Sequence, residues 1–301
     1  MPAFKVVSLT VSEPGMRLDR YLAEKCPELS RTQAQKLVSD GLVTINEQVA
    51  KAGYKLSTGD RVRITLPPPD ESPSPEAMPL SIVYEDNDLL VVDKPAGLTV
   101  HPAPGHPSHT LINAILSHVP RLPEADDFRR PGVVHRLDKD ASGLIVVAKN
   151  STSQLNLINQ FKARSVVKAY LVLVKGCLTP DDGVIEAPIG RDPRHRKRMA
   201  VVAEGEGRGA RTNYHVLRHI GEYTLLEVRP ETGRTHQIRV HLAAIGYPVF
   251  GDRVYGARSD SLPRLFLHAC RLGFKLPTSG EYKEFTSNLP PDLERVLEEL
   301  G

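Results

Sequence analysis

Tryptophan is absent from this chain of 301 residues, and aromatic residues make up only 5% of it. Broad aromatic platforms for stacking are therefore not expected. Cysteine is scarce. Cys26, Cys177 and Cys270 lie far apart and form no C-x-x-C pair, and an odd number argues against a disulfide framework. Long apolar runs are missing too. The longest stretch without Asp, Glu, Lys or Arg, from Pro95 to Pro120, holds several prolines and four histidines, so it cannot form a membrane helix. The first residues, MPAFKVVSLTVSEPG, lack the basic start and apolar core of a signal peptide. These absences point to a reducing cytoplasm. Charge of one sign is also lacking. The net charge of +3 is too small to prove a polyanionic partner, so its distribution must decide.

What is present is an ordinary globular composition, 40% hydrophobic and 25% charged. At about 150 residues per domain, the length suggests two domains. Residues 67–79, PPPDESPSPEAMP, read as an extended, semi-rigid spacer, because proline fixes φ and lacks a donor. The spacer separates a small unit, residues 15–66, from a larger one, residues 80–301. No internal repeat is visible.

In the small unit, Leu18, Tyr21 and Leu22 recur at helical spacing. Ser30 suits an N-cap for a second helix from Arg31 to Ser39, and Gly41 suits its stop. Two short strands, Leu42 to Ile45 and Asp60 to Leu66, follow with alternating apolar positions. Residues 16–66 carry nine Lys or Arg against six Asp or Glu, an excess equal to that of the whole chain. Charge alone leaves two readings open, a solvated face or a nucleic-acid surface. The layout R-L-D-x-x-L, then S-R-T-x-A-x-x-L-V-x-x-G-x-V-x-I-N, then G-D, resembles the S4 RNA-binding domain. That resemblance implies basic side chains offered to structured RNA, with Arg17, Arg20, Arg31 and Lys36 as candidates.

The larger unit is rich in strands. LSIVYEDNDLLVVDKP holds two, joined by a turn at Asp86-Asn87-Asp88. Further strands are expected at Gly143 to Ala148, Ala169 to Val174, Thr212 to Leu217, Tyr223 to Val228 and Leu272 to Leu276. Helices are expected at Thr110 to Ser117, Ser153 to Lys162, Arg234 to Ile245 and Asp292 to Leu300. Many neighbouring strands are joined too tightly for βαβ crossovers. The pattern predicts an α+β domain, with helices packed on a mainly antiparallel mixed sheet.

Three polar clusters stand out. The first is H-R-L-D-K-D-A-S-G-L, which runs from His135 into an apolar strand. A carboxylate at the mouth of a buried strand, flanked by cations, can be desolvated yet kept ionised. Read alone, Asp138 could equally be part of a structural ion pair. The second cluster is G-R-T-H-Q-I-R-V-H-L, from Gly233 to Leu242, and looks like a turn entering a helix. The third, Lys168-Ala169-Tyr170, opens a strand.

These clusters, in this order and preceded by D-N-D-L-L-V-V-D-K-P-A-G-L-T-V-H-P, resemble the motifs of the RluA-type pseudouridine synthases. The S4-like unit and the segment after Gly190 look most like the RluD branch. Ala141, where threonine is frequent, is the one departure. The resemblance implies an RNA isomerase that breaks the N1–C1′ bond of uridine, turns the uracil and joins C5 to C1′. It makes Asp138 the catalytic aspartate and Arg234 the arginine that pairs with it. It makes Tyr170 the residue that packs on the target base and takes part in proton transfer. Arg136 would fill the space of the extruded nucleotide, and extrusion itself costs a few kcal/mol. Neither cofactor nor metal is implied. The implied substrate is structured RNA, with 23S (large-subunit) ribosomal RNA favoured over tRNA, and the implied state is a monomer. In that setting the basic run Arg191 to Arg198 suits a phosphate-gripping hairpin, with Arg194, Arg196, Lys197 and Arg198 as contacts.

Three rival readings are weaker. His101, His106 and His109 sit in a Pro-Gly loop without a paired carboxylate. His236 and His241 lack the i, i+4 spacing that sets two metal ligands on one helical face. Ser142 lies in D-A-S-G-L and not in the G-x-S-x-G of a serine hydrolase. An RNA-binding factor that had lost activity would have no need to keep Asp138, Tyr170 and Arg234 together.

Overall fold

The structure is a computed structural model. It describes residues 5–26, 29, 31–66, 73–103, 105–119, 122–123, 130–195, 198–256 and 261–301. Ser30, Arg196, Lys197, residues 67–72 and the Lys36 side chain lie outside the described set. The described residues form two compact units, residues 5–66 and residues 73–301.

The first unit contains β1 (Lys5–Thr10), α1 (Leu18–Lys25), α2 (Arg31–Ser39), β2 (Val43–Ile45), β3 (Gln48–Val49) and β4 (Arg61–Leu66). Its strands pair antiparallel in the order β1-β4-β2-β3. In β4 the apolar residues Val62, Ile64 and Leu66 alternate inward, as period-two spacing demands. They meet Leu18 and Leu22 of α1, whose helical spacing turns both onto the same core.

The second unit begins with β5 (Ser81–Glu85), β6 (Leu89–Lys94), α3 (Leu111–His118), β7 (Ser142–Ala148), α4 (Ser151–Lys162) and β8 (Val167–Lys175). Next come β9 (Asp182–Glu186), β10 (Ile189–Arg191), β11 (Met199–Val201), β12 (Arg211–Ile220) and β13 (Tyr223–Pro230). The chain ends with α5 (Gln237–Ala244), β14 (Leu267–Lys275), β15 (Tyr282–Thr286) and α6 (Pro291–Leu300). Nine strands form one sheet in the order β5-β6-β7-β14-β8-β13-β12-β9, with β15 on β14. Strands β10 and β11 form a separate hairpin. The α+β expectation holds. All pairs in the large sheet are antiparallel except β7 with β14.

Both faces of β7 are buried, so its seven residues read as one apolar run and not as an alternation. Ile145 and Val147 pack with α3 residues Leu111, Ile112 and Ile115 on one face. Leu144 and Val146 pack with Leu157 and Phe161 of α4 on the other. Asn150 caps α4 by accepting the Ser153 amide at 2.9 Å. Gly143 is required where β7 meets β14. Its φ is +111°, and a Cβ there would lie 2.3 Å from the Ala269 carbonyl oxygen. Part of the proline-rich segment belongs to this unit, since the Ser74 carbonyl accepts the Asn113 side chain at 2.8 Å.

Strand β14 starts five residues earlier than the sequence pattern predicted. Its first half, Leu267-His268-Ala269-Cys270-Arg271, looks polar but is tied down internally. His268 Nδ1 bonds Ser142 Oγ at 3.0 Å, and its Nε2 bonds the Ser287 carbonyl at 3.3 Å. Arg264 reaches the same Ser142 at 3.2 Å and grips Asp292 of α6 at 2.6 and 2.8 Å. His241 is likewise spanned between Thr212 Oγ1 at 2.9 Å and the Ala187 carbonyl at 3.1 Å.

These histidines are held neutral. Burial lowers the pKa of His241 and of His268, and burial with the nearby Lys168 charge takes His135 down to about 3. In the unfolded chain each titrates near the ordinary ~6.5. As pH falls below that value, the unfolded state binds protons that the fold refuses. Stability present above pH ~6.5 is therefore lost on acidification, by at most about 1.4 kcal/mol per pH unit for each such histidine. Urea unfolding at pH 7.5, 6.5 and 5.5 should show a falling midpoint. A midpoint constant across this range would mean that the histidines titrate alike in both states.

Candidate active site

Asp138 sits on the loop that feeds β7, an interior strand of the sheet. Lys94, at the end of β6, holds this loop from beneath. Its side chain is fully buried, and Nζ donates to the carbonyls of Pro95 at 2.8 Å, Leu98 at 2.9 Å and Lys139 at 3.1 Å. Burial lowers the Lys94 pKa to about 7, although Asp140 and Asp138 pull it back up. The Gly97 amide donates to the same Lys139 carbonyl at 2.9 Å. The backbone beside Asp138 is thus fixed by a buried ammonium and an amide.

The partner of Asp138 is Arg239. Its Nη1 donates to Asp138 Oδ2 at 2.8 Å. The other two arms of the guanidinium, Nε and Nη2, grip Asp252 at 2.6 and 2.9 Å. Asp252 is fully buried and also accepts the backbone amides of Val254 at 2.8 Å and Tyr255 at 3.1 Å. Burial alone would lower the Arg239 pKa, but the hydrogen bonds and charges of Asp252 and Asp138 outweigh it and raise the value. Burial would raise Asp252, but the hydrogen bond and charge of Arg239, with the amides of Val254 and Tyr255, together outweigh it and lower the value. One guanidinium thus joins a fully buried carboxylate, Asp252, to the partly exposed carboxylate of Asp138.

This corrects the expected pairing of Asp138 with Arg234. The helix was expected to begin at Arg234, but α5 begins at Gln237. His236 stops it by adopting the left-handed conformation, at φ 56° and ψ 22°. The Gln237 side chain clamps the preceding turn, accepting from the Arg234 amide at 3.0 Å and from Thr232 Oγ1 at 2.7 Å. Arg234 stays on that turn, and its Nε donates to the Gly209 carbonyl at 3.2 Å. Arg239 lies inside the first turn of α5 and has the phase to face Asp138.

Above this pair opens a cleft of about 660 Å³. Asp138, Arg136, Tyr170 and Arg234 all line it, so the expected residues do converge. Arg136 donates to Thr235 Oγ1, which links the first cluster to the second. Tyr170, half-buried on β8, packs between two parts of the core. Burial raises its pKa, with a further push from the Asp138 charge, so the phenol stays protonated. Lys168 is brought down to about 8 by burial. His135 stacks on Phe161, with ring centroids 4.7 Å apart, and its Nε2 accepts the Val146 amide at 3.0 Å. Seven of the lining residues are Lys or Arg, against two carboxylates, Asp138 and Glu231. A cleft of this charge favours a polyanion and surrounds a single ion-paired aspartate.

Among the basic residues of the first unit, Arg17 and Arg31 are organised by Asp19. The Asp19 carboxylate is buried, and it accepts from Arg17 at 3.0 and 3.2 Å, Arg31 at 3.1 Å and Gln35 at 2.6 Å. The hydrogen bond from Arg17 holds its carboxyl well below the usual range. Half or more of each arginine side chain remains exposed, at 50% and 58%. Arg20 is exposed as well. In the basic run of the second unit, Arg194 is exposed, but Arg198 turns inward. Its guanidinium lies 5.1 Å from the centre of the Tyr255 ring. Arg198, half-buried just before β11, thus has a ring contact as well as the basic charge expected to meet phosphate.

Sequence reasoning missed Lys94, Arg239, Asp252 and Tyr255 as parts of the site. Arg239 stood in the quoted motif, but only the helix phase separates it from Arg234. Asp252 and Tyr255 stood in G-D-R-V-Y-G, where an Asp accepting amides two and three residues on is a legible turn signal. Among the described residues, no group of three or more His, Cys, Asp or Glu could hold a metal ion. No helix of the described residues is long and apolar enough to cross a membrane.

The sequence model of the RNA pseudouridylate synthase family matches residues 88–244, and that of the S4 domain matches residues 16–62. The chain belongs to the RNA pseudouridylate synthase family. It is 45% identical to an uncharacterized RNA pseudouridine synthase of Bacillus subtilis, over 98% of both chains. It is 44% identical to the ribosomal large subunit pseudouridine synthase D of Nitrosomonas europaea, over 98% of this chain and 88% of that one. Among solved structures, human RNA pseudouridylate synthase domain containing 1 is similar, with a TM-score of 0.58 and 30% identity. That match covers 74% of this chain and 94% of the human one. The protein is thus an RNA pseudouridine synthase with an N-terminal S4 domain, and Asp138, Tyr170 and Arg239 all lie within the matched catalytic region.

Arg239→Lys in this synthase should damage both fold and rate. A single ammonium cannot span Asp252 and Asp138 together, and a buried carboxylate left short of a partner costs about 1–3 kcal/mol. Arg234→Lys should cost less on both counts. Thermal unfolding and single-turnover assays of the two variants check this order, and the reverse order would return the pairing to Arg234.

Proposed function

We propose that this synthase isomerises specific uridines of 23S (large-subunit) ribosomal RNA, in the cytoplasm, with Asp138 as the carboxylate that drives the reaction. One observation carries the reading of the site: an aspartate held by a buried arginine at the base of a cation-lined cleft. The large-subunit substrate is supported by the relatives named ribosomal large subunit pseudouridine synthase D, which are 39–44% identical. None of the three cysteines is joined in a disulfide, which suits a reducing compartment.

In this reading the target nucleotide leaves its helix and enters the cleft. Arg136 takes the vacated place, and Tyr170 packs on the uracil. Asp138, ion-paired with Arg239, attacks the base or C1′, or stabilises positive charge at the sugar. The N1–C1′ bond breaks with its electron pair on the uracil. The base turns, and C5 bonds to C1′ as any bond to Asp138 breaks and its electron pair returns to the carboxylate; the C5 proton leaves and N1 gains one. Atoms balance, because the product is an isomer. The protonated Tyr170 phenol, beside Asp138, is placed to carry a proton in the last steps. Arg234, at the cleft wall, contacts substrate and does not hold the aspartate. Arg17, Arg20 and Arg31 of the S4 domain grip phosphates away from the target.

Asp138→Asn keeps size and shape but removes the charge. It should abolish isomerisation in single-turnover assays on transcribed 23S RNA while leaving RNA affinity near normal. Activity within tenfold of the parent would take Asp138 out of the mechanism. Mapping pseudouridines in cells with and without the gene tests the substrate, and sites lost only from tRNA would sink the ribosomal reading.

Arg17→Gln and Arg31→Gln should each flatten the log–log salt dependence of RNA binding by roughly 0.7 to 0.9, the slope of one phosphate contact. An unchanged slope in both would mean that the Asp19-held pair does not touch RNA.

A further inference from the structure

His236 is a cleft residue that the proposed mechanism leaves without a task. Several observations single it out. It lines the cleft between Thr235 and Gln237. Its backbone is left-handed, at φ 56° and ψ 22°, a conformation that a residue with a side chain adopts only under constraint, often at functional sites. Its Nδ1 lies 2.9 Å from Tyr255 Oη, and the two rings meet edge to face with centroids 5.6 Å apart.

Tyr255 is itself held on every side. The guanidiniums of Arg198 and Arg239 each lie 5.1 Å from the centre of its ring. Its backbone amide donates to Asp252, and its Oη accepts the Met199 amide at 2.9 Å. With the phenol oxygen already accepting from Met199, its hydroxyl proton is free to go to His236. Burial raises the Tyr255 pKa, so that proton stays on. The His236 Nδ1 is then an acceptor. Burial also lowers the His236 pKa, against the pull of Asp138. A neutral imidazole whose Nδ1 accepts must carry its one proton on Nε2.

We infer that His236, its tautomer fixed by Tyr255, donates a hydrogen bond from Nε2 to a carbonyl oxygen of the target uracil. This rests on the proposed reading that uridine is isomerised beside Asp138. The chemistry calls for such a donor. When the N1–C1′ bond breaks, the electron pair stays with the base, and its negative charge spreads onto O2 and O4. Asp138 is an anion, so a detached uracil anion in the same cleft meets repulsion. A fixed neutral N–H aimed at a carbonyl stabilises the charge as it develops. No proton is transferred in this step. The bond strengthens as charge builds, so it should act on the rate far more than on RNA affinity.

The test is single-turnover isomerisation and RNA affinity for three variants of the full chain. His236→Ala removes the donor. It should slow the step roughly 100-fold, the scale of one lost donor to a developing anion, with affinity within about twofold of the parent. His236→Asn keeps an amide N–H, and asparagine tolerates the left-handed backbone, so it should regain at least about tenfold of that loss. Tyr255→Phe keeps the ring beside its two arginines but frees Nδ1, and should slow the step about two- to tenfold. Thermal unfolding of each variant separates these effects from misfolding. The inference is overturned if His236→Ala turns over within about twofold of the parent, or if the Ala and Asn variants are equally slow with intact folds. An unchanged rate in Tyr255→Phe overturns the tautomer assignment. A parent enzyme that makes no pseudouridine in any RNA would instead sink the underlying reading, a result that none of the variant comparisons can mimic.

Discussion

One guanidinium shared by two carboxylates governs the centre of this molecule. Burying ions is costly, and an interior pair is tolerable only when nearly every donor and acceptor finds a partner. Arg239 meets that condition by giving two arms to Asp252 and the third to Asp138. Asp252 is completed by two amides of its own turn. Much of the local architecture serves this arrangement. The break at His236 sets the phase of α5, Gln237 anchors the turn before it, and Lys94 steadies the loop opposite. Asp252 takes the Nε and Nη2 arms, and Asp138 meets the third arm through Oδ2.

The S4 domain uses the same physics toward the opposite end. There a buried carboxylate, Asp19, gathers two arginines and leaves much of each side chain in solvent. Two flexible cations that would each lose rotamer freedom on binding a phosphate have lost most of it already. In the catalytic domain a buried cation leaves the Asp138 carboxylate partly exposed, and in the S4 domain a buried anion leaves two guanidiniums exposed.

Much of this was legible in the sequence, and the limits were physical. The α+β class followed from strand spacing; β6, β7 and β8 were recognisable because apolar residues dominate them, and β12 and β13 because apolar residues alternate with polar ones. Strand β14 hid its first half because His268 and Arg271 look like surface residues until their partners are known. Convergence of Asp138, Arg136, Tyr170 and Arg234 on one cleft was readable from the motifs. The choice between Arg234 and Arg239 was not, since it turns on one left-handed residue that no periodicity announces. Lys94 reads as a strand-end lysine facing water, and only three carbonyls drawn from distant loops make it an interior group. The inward turn of Arg198 was hidden in the same way, because Tyr255 lies 57 positions further along the chain and nothing local announces the contact.

The place of β14 in the sheet also governs how the enzyme comes into being. This strand spans Leu267–Lys275, yet it lies between β7 and β8, at the middle of the sheet. As the ribosome delivers the chain from its N-terminus, the two halves of the sheet must wait with facing edges unpaired until this late strand arrives. The Asp138–Arg239 bond likewise closes a loop of 101 residues. Non-local closure of this kind is slow, and open strand edges invite other chains. A chain that ends before β14 therefore carries the motifs of the site while leaving two strand edges unpaired at the middle of its sheet.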